Sequence, residues 1–121
     1  MHSLGSNKME GVKLGEKLLP LGINLCAFDF SGSGNSQGDW TTHGYKEKSD
    51  LKAVVNYLKE NKNISQIGLW GRGLGASTAL FYMKENPGTV NCAVMDSGFS
   101  SLQAIMPGLV AESGLSAKMV D

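Results

Sequence analysis

Gln66-Ile67-Gly68-Leu69-Trp70-Gly71-Arg72-Gly73-Leu74-Gly75-Ala76 is the stretch that decides the fold. Its first half, 66–70, reads as a short apolar strand. Its end opens a run from Ala76 to Glu85, rich in Ala, Leu, Phe and Met, that reads as a buried helix stopped by Pro87-Gly88. Between them, glycines stand at 71, 73 and 75. A strand that reverses into a helix over so few residues strains the backbone at the centre of the turn. It also needs small neighbours there, so that strand and helix can approach. Gly71 and Gly75 are those neighbours. The central residue is Gly73, which has no side chain to present.

The same alternation extends on both sides. Lys8 to Leu19 reads as a helix weakened by Gly11 and Gly15 and ended by Pro20 and Gly22. Residues 23–28 read as a buried strand, and 31–44 as a Gly/Ser/Thr-rich loop. Asp50 to Asn61 places Leu51, Val54, Val55 and Leu58 at i, i+3, i+4 and i+7, one apolar helical stripe. Val90 to Met95 reads as a further strand, and 100–121 as a weaker helical pattern broken by Pro107. Apolar strands alternating with amphipathic helices predict an α/β fold, with parallel strands and helices on both faces.

At 121 residues the chain holds one domain at most. Eleven basic and eleven acidic residues give no net charge, which argues against a nucleic-acid or anionic-membrane partner. No apolar run approaches the ~20 residues of a membrane span. No signal-peptide pattern opens the sequence, so the expected location is the cytoplasm. Cys26 and Cys92 lie in the apolar runs and are expected as buried thiols. No Cys or His spacing suits a metal.

A covalent mechanism needs a nucleophile, a base and an orienting acid. Ser77, in a helix rather than on the turn, is expected to bond a backbone carbonyl or to pack. His43 is expected on a polar loop surface, and Asp96 in hydrogen bonds within its turn. No histidine follows residue 43. A rival reading remains. Gly71-x-Gly73-x-x-Ala76 fits a dinucleotide fingerprint, with Asp96 ending the next strand. Against it, such fingerprints open their domains, and this one lies mid-chain. Gly32 to Gly38 lacks the Gly-Lys-Ser/Thr ending of a phosphate loop.

Five segments in order resemble the α/β-hydrolase superfamily, most nearly its serine peptidase and acyl-hydrolase branch (prolyl-oligopeptidase-like or serine-aminopeptidase-like). They are His2-Ser3-Leu4-Gly5-Ser6, similar to the His-Gly oxyanion loop; Asp29 to Gly38, similar to D-x-x-G-x-G-x-S-x-G; and Gly44 to Leu58, similar to the helix that follows. The others are Ile67 to Ala76, similar to the nucleophile elbow with Ser replaced by Gly73, and Val94 to Ser100, similar to a strand and D-S-P-F segment. The resemblance implies a single incomplete domain over 1–121: a partial α/β-hydrolase fold lacking one central strand and the later strands that bear the acid and the His. It implies an ancestral ester or amide hydrolysis through an acyl-enzyme, inactive in this chain, and no cofactor. It implies an oxyanion hole from the backbone N–H groups of Ser3 and Leu74. The expected partners are a small acyl or peptide ligand, or a chain that completes the sheet. The alternative class is a non-catalytic binding module. The strands either side of the missing one are expected to pair directly in a rearranged sheet or to belong to a longer protein.

Overall fold

A computed structural model of the chain describes residues 1–62, 64–99, 101 and 103. Its elements run α1 (Glu10–Leu18), a 3-10 turn (Leu19–Leu21), α2 (Glu47–Asn61), β1 (Gly68–Arg72), α3 (Leu74–Glu85) and β2 (Cys92–Asp96). The helical pattern expected over 100–121 falls almost wholly outside the described residues.

β1 and β2 pair in parallel, from Gly68 opposite Cys92 to Arg72 opposite Asp96. Both strands begin two residues later than the apolar runs suggest. Asn91 is the reason: its N–H donates to the Ile67 carbonyl, and its side-chain oxygen accepts from the Ile67 N–H. An amide side chain thus ties the two runs together just ahead of the ladder. Along β1, Leu69 and Gly71 point inward, while Gly68, Trp70 and Arg72 are exposed. That period of two sets which residues meet α3.

α3 lies on both strands, and α2 packs on α3. The core between them is Leu51, Val55, Ile67, Leu69, Ala79 and Tyr82, with Phe28, Leu58 and Met95 packed against it. Leu51 and Val55 come from the stripe on α2, each 2% exposed. The helix nevertheless starts at Glu47, three residues before the expected Asp50. On the outward face of the sheet, the cross-strand neighbours Trp70 and Val94 stay exposed, so the helical cover expected on both faces is incomplete among the described residues.

Residues 23–28 do not form the expected strand. They join no ladder among the described residues, and Ile23, Leu25 and Cys26 are exposed. A strand needs a partner for its backbone groups, and among the described residues none pairs with this run. α1 packs against it instead: a Cβ on Gly11 would sit 3.0 Å from Ala27 Cβ, and one on Gly15 would sit 3.2 Å from Leu25 Cδ2. The two helix-weakening glycines are therefore what let α1 approach. Among the described residues, one engages the other edge of β1. Met1 N donates to the Trp70 carbonyl at 2.6 Å, and Arg72 N donates to the Met1 carbonyl at 3.2 Å. That pair of bonds is one rung of a parallel ladder opposite Gly71. The direct pairing of 23–28 with β1 is accordingly not what the chain adopts.

The expectation of buried thiols is also corrected. Cys26 and Cys92 are both free and exposed, one in the unpaired segment and the other at the start of β2. No described helix is long and apolar enough to cross a membrane.

Candidate functional site

The turn between β1 and α3 has the geometry that the glycine spacing predicts. Gly73 sits at its tip with φ 51° and ψ −110°, a conformation that non-glycine residues adopt only at a cost. Its N–H donates to the Asp96 carbonyl at 2.8 Å, and its carbonyl accepts from Ser77 N at 3.1 Å. The tip is thereby fixed between the end of β2 and the first turn of α3. Gly71 is buried beneath it and Arg72 is exposed beside it. Leu74 opens α3 with its side chain 1% exposed. Its N–H belongs to the first turn, where no intrahelical acceptor exists. Gly75 lies against Met1.

Position 73 has room for a side chain. A Cβ there meets only Ser3 Cβ at 3.5 Å and Ser3 Cα at 3.9 Å, ordinary contact distances. Gly73→Ser should therefore fold and should lose about 1–3 kcal/mol to backbone strain alone. Urea unfolding of the two proteins checks this. Equal stabilities would show that the positive φ is not retained.

The loop expected to face the turn does so. His2 is buried, 2% exposed. Its Nε2 accepts from the Phe30 N–H at 3.1 Å, so Nδ1 carries the ring proton and donates to the Ser3 carbonyl at 2.9 Å. The ring also packs at 4.9 Å, centroid to centroid, on the fully buried Phe30. One neutral imidazole thus joins residues 2–3 to the segment leading into the Gly-rich loop. Asp29 ties the residues just ahead of α1 to the Gly-rich loop. Its carboxylate accepts from Lys8 N at 2.7 Å, Lys8 Nζ at 2.8 Å and Asn35 N at 3.0 Å. The Lys8 ammonium, with the N–H groups of Asn35 and Lys8, holds that carboxyl far below the usual aspartate range. Ser31 closes the loop onto α2 by donating its N–H and hydroxyl to Asp50 at 2.8 and 2.9 Å. Between these loops lies an open cleft of about 530 Å³, walled by Leu4, Gly5, Ser6, Gly32, Ser33 and the exposed Trp40.

Ser3 N–H, the expected oxyanion donor, is not vacant. It donates to Glu10 Oε2 at 3.1 Å, and the Ser3 hydroxyl donates to Glu10 Oε1. Burial pushes the Glu10 carboxyl up. The Ser3 and Ser6 hydroxyls, the Ser3 amide and the charge of Arg72 outweigh that and hold it low. Sequence reasoning missed Glu10, because seven residues across a loop and a helix start make no local motif.

The other candidates fall as follows. Ser77 is buried in α3 and exchanges hydrogen bonds with the backbone of Phe99. Asp96 accepts from the Ser97 hydroxyl at 2.8 Å and lies 3.6 Å from Arg72 Nε. His43 is not on a polar surface. It is half-buried at φ 54°, its ring stands edge-on to Phe99 at 6.2 Å, and its buried Nδ1 finds no partner among the described residues. The tight, positive-φ bend at His43-Gly44 turns the ring inward, where its loop composition suggested solvent.

A family model described as alpha/beta hydrolase fold matches residues 2–115. The chain is 38% identical over 82 residues to the uncharacterized protein YqkD of Bacillus subtilis (strain 168), covering 67% of this chain and 27% of that one. It is 27% identical over 104 residues to the uncharacterized protein YfhR of Salmonella typhi, covering 76% of this chain and 35% of the other. Among solved structures, the Pyrococcus furiosus esterase Pf2001 superposes with a TM-score of 0.83 at 32% identity, over 98% of this chain and 49% of that one. The chain thus spans about half or less of the relatives it matches. The strand–turn–helix at Gly71–Gly75, the loop facing it and these matches lead to one conclusion: the chain belongs to the alpha/beta hydrolase fold family.

Proposed function

We propose that this chain is a hydrolase unit that binds a small acyl or peptide ligand at the elbow without turning it over. The observation that carries the reading is Gly73: the turn keeps the conformation that would present a nucleophile, and the residue there has no oxygen. The structurally similar Pf2001 is an esterase, which suits an ester or amide carbonyl as the ligand's recognised group. The cleft between Leu4 and Trp40, on the loop that carries Ser3, offers room for the rest of the ligand. Ser77, the nearest serine on α3, is committed to Phe99 and is no substitute.

The test is a fluorophosphonate probe together with p-nitrophenyl acetate. The expected result is no covalent label and no hydrolysis above background. Stoichiometric labelling of any serine would overturn the reading.

The rung between Met1 and Gly71 supports a second element of the proposal. The open edge of β1 takes a further parallel strand, from elsewhere in a longer protein or from a partner chain. Two free, exposed cysteines suit a reducing compartment, and we place the protein in the cytoplasm.

A further inference from the structure

We propose that the Ser3 amide and hydroxyl form a carboxylate-binding site that Glu10 occupies as an internal ligand, so that an external carboxylate enters only by displacing Glu10. The inference rests on reading this loop as a binding site, and its test uses no turnover.

The argument starts from donor geometry. Ser3 gives both of its donors to one carboxylate, one to each oxygen. Two charge-assisted bonds from a single residue recognise a planar carboxylate in a fixed orientation. The site adjoins the tip of the elbow, since Ser3 Cβ is the first atom a side chain at 73 would meet, at 3.5 Å. Arg72, next to the elbow tip in the chain, adds its charge to the groups that hold the Glu10 carboxyl low. Its ion pair with Asp96 is exposed on both sides and stretched to 3.6 Å, so it is a weak competitor for the guanidinium.

Glu10 is placed to leave as well as to bind. It is the first residue of α1, half-buried, on a long side chain with several rotatable bonds. Ser3 is held independently of it, through the His2 ring to the Ser3 carbonyl and through Ser6 N donating to that same carbonyl at 3.3 Å. Withdrawing the Glu10 carboxylate therefore bares the two donors without dismantling the loop that carries them. The ligand class is a small monocarboxylate, and the next residues of the same loop, Leu4, Gly5 and Ser6, line the open cleft.

The probe is sodium acetate, titrated into the 15N-labelled full chain against sodium chloride at matched ionic strength, with the Ser3 amide resonance as the readout. In Glu10→Ala the resonance should shift saturably, with an apparent affinity about tenfold or more above that of the unaltered protein, as expected when a charge-assisted competitor is removed. Adding Arg72→Gln should weaken that binding severalfold. If Glu10→Ala does not fold, the near-isosteric Glu10→Gln carries the test. It retains the side chain but loses the charge, and acetate should still bind more tightly than in the unaltered protein. An acetate response at Ser3 that is the same with and without the Glu10 charge, or one reproduced by chloride, would overturn the proposal. Neither outcome depends on whether a serine reacts with fluorophosphonate, so the two readings fail separately.

Discussion

Gly71→Ala should cost about 3 kcal/mol or more in urea unfolding, at or beyond the upper end of the usual overpacking cost. The added Cβ would fall 2.5 Å from Ala76 N and closer still to the Gly75 carbonyl. Both obstacles are backbone, so no side chain can rotate away, and β1 must separate from α3. That separation would loosen the contact on which Leu69 and Ala79 are buried. Gly75→Ala is the informative comparison. Its Cβ would meet the Met1 carbonyl at 2.6 Å, a single ladder rung rather than the joint between a strand and the helix that packs on it. We expect the smaller loss there, about 1–3 kcal/mol. A Gly71→Ala protein within about 0.5 kcal/mol of the parent, the range of an ordinary surface change, would mean that the turn is far looser than its geometry.

The legible parts of this chain were those in which local pattern and tertiary burial coincide. The Leu51, Val54, Val55, Leu58 stripe marked α2 because one face of a helix meets one core. The three glycines marked the elbow because its constraint is steric and local: Gly71 against the Gly75 carbonyl, Gly73 at positive φ. Residues 23–28 misled for the complementary reason. An apolar run records that its residues are meant for burial, but a strand exists only with a ladder partner. The thiols followed the same logic, since Cys26 is exposed in the run that found none. The two carboxylates that organise the loops were hidden. Glu10 meets Ser3 only because the chain folds back seven residues on. Glu47 lies three residues beyond Gly44 and accepts from the Gly44 N–H, just ahead of α2. No apolar position marks it, because the apolar stripe of α2 starts later.

Glu47→Ala should be the other severe lesion, at about 3 kcal/mol or more, because it removes the acceptor of three donors at once. Glu47 is 2% exposed at the first position of α2. Its carboxylate accepts from Thr42 N at 2.6 Å, Thr42 Oγ1 at 2.8 Å and Gly44 N at 2.8 Å. It is also placed where the helix dipole favours negative charge. The Thr42 hydroxyl accepts in turn from Lys46 N at 2.7 Å, so the loop leading into α2 is closed by a continuous set of bonds. Gly44, at φ 106°, packs that loop on Phe81 of α3. Glu47→Gln keeps an acceptor but brings an N–H2 group toward N–H and O–H donors, and should cost less, about 1–3 kcal/mol. The acid limb separates the charge from the shape. Burial raises the Glu47 carboxyl, but the Thr42 and Gly44 donors outweigh it and the net shift is downward. A carboxylate lowered on folding contributes stability that is complete above the ordinary glutamate range. That contribution is lost as the pH falls through the lowered value. Urea midpoints measured from neutral pH downward should therefore fall less steeply in Glu47→Gln than in the parent, the two curves converging in acid. Parallel curves would show that the carboxylate is not what closes the loop onto α2.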